Sequence, residues 1–266
     1  MNIKENDMTD IEIFKACFPE YRISSEVFER VTAGSIRFCT EHGFAHVRGG
    51  RIELLCVHPK YQRCGEGRRL LSLCEQHVSD SGTDTVSVGG RLVCGAEERT
   101  AEFFGKNGYE LDGSFTEMEL PLDGFSVPEV SLPENAEFGF YSGDTDTLRR
   151  AVNEVDEEWV QYFTDDGLFF CCLVDREIAS FCIVGGDEDF LLSDGAARIG
   201  SVGCVGTVPK FRKKGLGLHM VALASQWLKE QGCDSVFIHY THLDKWYGKL
   251  GAKVFQRFTT AEKMLR

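Results

Sequence analysis

The chain has 266 residues, 42% hydrophobic and 27% charged, with 28 Gly against 6 Pro; this is enough for two compact cores and excludes the disordered and fibrous classes. Its 42 Asp and Glu against 29 Lys and Arg give a formal charge of -13, which repels a phosphate backbone and argues against nucleic acid as a partner. Apolar runs such as Gly167 to Val174 are too short to cross a bilayer, the acidic opening Met1 to Asp10 lacks a basic-then-apolar leader, and the 11 Cys contain no two-residue spacing of a zinc or redox motif, so a cytoplasmic protein with reduced thiols, no membrane segment and no metal is expected.

In chain order, the apolar run Ile52 to Val57 reads as a strand and leads into Pro59-Lys60-Tyr61-Gln62-Arg63-Cys64-Gly65-Glu66-Gly67. Leu70, Leu71, Cys74 and Val78 then recur on one helical face until Gly82; Thr85 to Val88 reads as a strand, and Ala101 to Asn107 as a short amphipathic segment before Gly108 and Tyr109. Pro121 to Gly124, Pro128 and Pro133 interrupt regular structure, which places a domain boundary between about residues 122 and 135. Beyond it the same order returns. Ser201 to Val208 reads as a strand, and Pro209-Lys210-Phe211-Arg212-Lys213-Lys214-Gly215-Leu216-Gly217 repeats the first loop 150 residues later. Met220, Leu223, Ala224, Trp227 and Leu228 form a helical face until Gly232; the strand candidate Ser235 to Tyr240 and the short segment Asp244 to Leu250 follow.

Two glycines between a strand and a helix allow a tight turn and leave the first helical amides without a side chain in front of them. Such a loop suits phosphate, and Arg212, Lys213 and Lys214 add positive potential at the same end of the helix dipole. A solvated basic turn is the alternative. Neither copy ends in the Gly-Lys-Ser/Thr of a nucleotide-hydrolase loop, and Met220 stands where a dinucleotide fingerprint has its third glycine.

These residues resemble the GNAT superfamily of acyl-CoA-dependent N-acetyltransferases. Its motif of Gln or Arg, two residues, Gly, one residue, Gly or Ala is matched by Arg212, Gly215 and Gly217 and again by Gln62, Gly65 and Gly67. The family's later aromatic-Tyr signature resembles Trp246-Tyr247-Gly248-Lys249-Leu250-Gly251, where the first half has Phe103-Phe104-Gly105-Lys106-Asn107-Gly108. The resemblance implies an α/β fold of two tandem GNAT-like domains, 1–124 and 133–266, each a central mixed β-sheet flanked by helices. It implies acetyl-CoA as co-substrate, its pyrophosphate on the loop Arg212, Lys213, Lys214, Gly215, Leu216, Gly217 and its pantetheine arm beside Val205, Gly206 and Thr207. Gly206 would leave room for that arm.

Transfer to an amine needs a proton removed from the nucleophile and one supplied to the departing thiolate. Tyr247 is the candidate acid, although Trp246-Tyr247 also has the pattern of a core aromatic pair. Phe104, at the corresponding position, has no proton to give, and Glu66 sets a carboxylate within the first loop; the first domain therefore reads as degenerate and the second as catalytic. Asp156 and Glu157, with Glu158, precede Trp159 and Tyr162 where the family builds its acceptor pocket, and they equally suit a solvated helix face; Asp187, Glu188, Asp189 and Asp194 carry the same ambiguity. His239 is a further candidate base. The expected activity is acetyl transfer to a primary amine of a small cationic molecule such as an amino sugar, aminoglycoside or polyamine. The alternatives are a protein or peptide amine as acceptor, or a non-catalytic acyl-CoA-binding regulatory module.

Overall fold

The computed structural model describes residues 8–19, 21–89, 96–97, 100–186 and 197–265. In chain order its elements are α1 (Asp10–Cys17), α2 (Ser25–Thr32), β1 (Ile36–Cys39), β2 (Gly43–Arg48), β3 (Arg51–Val57), α3 (Glu66–Asp80), β4 (Thr85–Val88), β5 (Ala96–Glu97), α4 (Ala101–Lys106) and β6 (Glu110–Pro121). There follow β7 (Ala136–Phe140), α5 (Thr145–Asn153), β8 (Phe169–Val174), β9 (Glu177–Gly185), β10 (Ile199–Thr207), α6 (Leu216–Glu230), β11 (Ser235–Thr241), α7 (Asp244–Tyr247) and β12 (Lys253–Met264). The strand–loop–helix repeats expected from the sequence are β3–α3 and β10–α6. Among the described residues no helix is long and apolar enough to cross a membrane.

The chain forms two compact units. In the first, the strand order is β1-β2-β3-β4-β12, with β5 also on β12. Among the described residues of this unit only β3 and β4 run parallel, as a helical crossover between adjacent strands requires. The apolar face of α3, built from Leu70, Leu71, Cys74 and Val78, packs on Val47, Ile52 and Val86. At the start of α1, Thr9 and Glu12 form a reciprocal capping box that satisfies two otherwise orphaned amides.

In the second unit the order is β6-β11-β10-β9-β8-β7, and β10–β11 is the parallel pair. The alternation of β9 divides its side chains between two cores. Cys182 and Val184 join Met220, Val221, Ala224 and Leu228 of α6 on one face. Ala179 and Phe181 join Leu148, Ala151 and Val152 of α5 on the other. Because α6 is covered along most of its circumference, it buries eight residues, against four for the otherwise similar α3.

The units are not continuous in sequence. Residues 116–121 of β6 belong to the second unit, paired antiparallel with β11. Residues 256–264 of β12 belong to the first, where Ala261 to Met264 pair with Val88 to Thr85. Each unit thus completes its sheet with the last strand of the opposite half of the sequence.

Candidate active site

The loop after β10 is shaped by backbone conformation. Lys213 and Gly215 have φ of 65° and 79°, and Gly215 is the N-cap of α6 without any side-chain cap. The amides of the first helical turn are therefore left to whatever lies in front of them. Arg212 Nε donates to the carbonyl of Thr207 at 2.9 Å, bracing the loop against the end of β10. Gln62 makes the equivalent bond to Val57 at 3.0 Å in the first unit, which explains why a long donor side chain recurs at this point. Lys210 is drawn aside by an ion pair with Glu177.

All nine residues expected to bind acetyl-CoA, namely Val205, Gly206, Thr207, Arg212, Lys213, Lys214, Gly215, Leu216 and Gly217, line one cavity of about 560 Å³. Val155, Phe211, Leu218, Leu243, Trp246 and Lys249 complete its wall. Arg212, Lys213, Lys214 and Lys249 give this cavity four cations in a chain of charge -13, a local potential suited to a polyanion.

The reason for Gly206 differs from the sequence expectation. A Cβ there would lie 2.3 Å from the Phe181 ring, so the glycine is required by packing between β10 and β9. Likewise a Cβ at Gly217 would approach Thr207 Oγ1 to 2.6 Å. Between Gly203 and Gly206 the β9–β10 register slips, and Cys204 takes a left-handed φ of 45°. The resulting bulge turns the backbone of Cys204 and Val205 out of the ladder beside the cavity. In β3 the slip falls at Glu53 instead, with no left-handed residue, so the first unit lacks this feature.

Tyr247 does not line the cavity. It is buried, with its ring edge-on to the cavity-lining Trp246 at 4.7 Å between centroids. Burial pushes its phenol well above the ordinary range, and the adjacent Cys182 and Cys204 thiols add to the effect. Burial also pushes the Cys204 thiol up to about 11, with Asp156 contributing. Asp156 thus lies within electrostatic reach of the bulge, next to the cavity-lining Val155, while Glu157 and Glu158 point into solvent. The Asp156 carboxylate also caps the short helical turn Glu157–Tyr162 by accepting from the Glu158 amide at 2.9 Å. His239 stands on β11 with Nδ1 2.9 Å from the carboxylate of Glu117, a residue that no local motif marks. Asp187, Glu188, Asp189 and Asp194 lie outside the described residues. Among the described residues no cluster of His, Cys, Asp or Glu is arranged to hold a metal ion.

The first unit has its own cavity, also of about 560 Å³, lined by Ile52, Leu54 and Val57 of β3, by Gln62, Arg63, Gly65, Gly67 and Arg68, and by Phe103 and Phe104. Glu66 does not line it; one carboxylate oxygen is buried without a hydrogen-bond partner. The carboxylate expected among the phosphate-facing groups of the first loop is therefore turned away from them.

This repeated architecture, with a loop–helix cavity in each unit, is that of a tandem acetyltransferase. The model described as "Acetyltransferase (GNAT) family" matches residues 136–252, and that of the "Acetyltransferase (GNAT) domain" matches residues 23–119. The chain belongs to the GNAT family, as two tandem domains, and so to the enzymes that transfer acetyl groups from acetyl-CoA to amines. Its fold is similar to the glucosamine N-acetyltransferase region of a fungal multi-domain GH3 β-N-acetylglucosaminidase, with a TM-score of 0.76 and 19% identity over 94% of this chain. The chain spans only 36% of that protein. A GCN5-related N-acetyltransferase from Sphaerobacter thermophilus gives a TM-score of 0.75 at 17% identity, over 96% of this chain and 91% of its own. A tandem GNAT protein from the clavulanic acid biosynthesis pathway gives 0.61 at 14% identity, over 96% of both chains. Among curated proteins no sequence matches the chain.

Proposed function

We propose that the second domain, residues 133–266, acetylates a primary amine of a small cationic molecule, and that the first, residues 1–124, is a degenerate copy. The observation that carries this reading is the cavity of the second unit, which brings together uncapped helical amides, four cations and Trp246, with the buried Tyr247 packed edge-on against that tryptophan. Arg212, Lys213, Lys214 and the loop amides would hold the pyrophosphate of acetyl-CoA, and the strand at Val205 to Thr207 its pantetheine arm. The bound thioester supplies the activated acetyl group. An amide freed by the β10 bulge polarises its carbonyl, and Tyr247 gives its proton to the departing sulfur.

The excess of acidic residues, with Asp156 beside the cavity wall, favours a cationic acceptor. Amino sugars come first among aminoglycosides and polyamines, because mixed acidic and aromatic residues suit a hydroxyl-rich cation; glucosamine, named for the fungal region, heads the panel. Phe104 in place of a phenol supports a reading in which the second domain does the chemistry.

The test is thiol release from acetyl-CoA over a panel of amino sugars, aminoglycosides, polyamines and peptides. Transfer to a small amine is expected. Transfer confined to peptides would replace the acceptor class, and acetyl-CoA binding without transfer to any amine would leave a binding module.

A further inference from the structure

The reaction needs a proton acceptor for the amine, and β10 does not offer one. Its titratable group beside the cavity is the Cys204 thiol, which burial keeps protonated through the neutral range. The neighbouring strands do. Strands β10 and β11 pair only from Ile199 and Ser235 to Ser201 and Phe237; beyond these residues the sheet opens. His239 stands two residues past the last pair, level with the start of the β10 bulge at Gly203 to Gly206.

Its side chain is on the face opposite α6. Val236 and Ile238 enter the core under α6, so Phe237 and His239 alternate to the other side, where Phe237 packs on Phe255. The same alternation on β6 sends Met118 and Leu120 under α6, with Glu117 and Glu119 on the face of His239. The β6–β11 register slips between Ile238 and Thr241, and Tyr240 has a φ of 57°, so the bulge directly follows the histidine. Glu117 is 2% exposed at its side chain and His239 37%. One partner of the ion pair is therefore anchored in the protein and the other opens to solvent.

Strand β11 lies between β6 and β10, and His239 meets Glu117 of β6 through Nδ1. Glu117 thereby selects the tautomer with the proton on Nδ1 and leaves Nε2 as the basic nitrogen. Tyr247 belongs to the α6 face.

Building on the acetyl-transfer reading, we infer that His239 is the catalytic base and that Glu117, supplied by the strand from the first half of the sequence, is its positioning residue. The amine nitrogen forms its bond to the acetyl carbon as the carbon–sulfur bond breaks. His239 Nε2 takes the proton from nitrogen, Tyr247 gives one to sulfur, and both groups exchange with water to complete the cycle. Asp156, within electrostatic reach of the β10 bulge, adds a carboxylate suited to an ammonium.

The test compares His239→Gln, Glu117→Gln and Tyr247→Phe in the full-length protein, with the best amine of the panel. His239→Gln should lower kcat by about 100-fold or more, the range of a positioned base, with acetyl-CoA affinity unchanged, and should abolish the acid limb of the pH–rate profile. His239→Ala should recover rate on addition of imidazole. Glu117→Gln keeps the hydrogen bond but removes the charge, so the acid limb of the pH–rate profile should move to lower pH, whereas a merely structural role would leave its midpoint in place. If Glu117→Gln fails to fold, the His239 variants decide alone. Full turnover with an unchanged acid limb in His239→Gln would overturn the assignment alone. Absence of transfer by the wild type would overturn the acetyl-transfer reading, and this assignment with it.

Discussion

Replacing Tyr247 with Phe removes one oxygen from a ring that is 4% exposed and locked edge-on against Trp246. The hydroxyl makes no hydrogen bond to a described residue, so folding stability should change by less than about 1 kcal/mol. The catalytic effect should be larger. The Cys204 thiol, in electrostatic contact with this phenol, is pushed up to about 11 by burial, so a thiolate released in the same surroundings is more basic than in water and gains more from protonation. A positioned acid contributes about 10²- to 10⁴-fold, and the raised pKa of Tyr247 makes it a weaker donor, which places the loss at about 10- to 1000-fold, or about 1.4 to 4 kcal/mol. Since burial raises the phenol, it stays protonated through neutral pH, and the wild type should show no alkaline fall in kcat near pH 10, where an ordinary phenol titrates. Rapid-quench single-turnover measurements at saturating acetyl-CoA, with calorimetry for its affinity, give both numbers. An unchanged rate with chemistry shown to be limiting would mean that another group protonates the sulfur, and a lost affinity would mean that Tyr247 serves binding.

Gly215→Glu and Gly65→Glu impose similar backbone strain, at φ of 79° and 93°, so their difference reports function; the first should weaken acetyl-CoA binding by about tenfold or more and the second should leave transfer within about twofold, and equal losses in two folded variants would make both domains catalytic candidates. Gly217→Ala should cost about 1 to 3 kcal/mol in urea unfolding, because its methyl displaces Thr207 Oγ1 from the 2.9 Å bond to the fully buried Ser180; the cost should shrink in a Thr207→Ala background, and strict additivity would refute this cause. Burial opposes ionisation of Asp10, yet the hydrogen bonds and charges of Arg37 and His46 hold its carboxyl down to about 2, below its ordinary 3.8. A depressed carboxylate stabilises above its unfolded pKa, so the contribution, about 1 to 2 kcal/mol allowing for solvent screening, should be whole above pH 5 and fade between about pH 4 and 2. The stability gap between the wild type and Asp10→Asn should narrow over that interval, and a gap independent of pH would dismiss the ion pair as its origin.

What the sequence determined by itself is what is local. Strand, loop and helix around Pro209 to Gly217 are contiguous, so one short motif, its repeat and the family resemblance they carry pointed to nine residues that line one cavity. The periodicity of α3 and α6 and the strands at Thr85 and Ser235 were legible for the same reason: 3.6- and two-residue periods are properties of the chain itself. Other features depend on partners remote in sequence. Phe181, on a neighbouring strand, decides why residue 206 is glycine. The side chain of Glu66 turns away from the first cavity although its position in the motif is that of Leu216. Above all, the pairing of β6 with β11 sets Glu117 against His239 across more than a hundred residues, and β12 completes the first unit in return. A strand's hydrogen-bonding edge is made of backbone and is nearly blind to side-chain identity. Which strand fills it is therefore settled by the packing of the assembled sheet, and a pattern read along one segment carries no record of that choice.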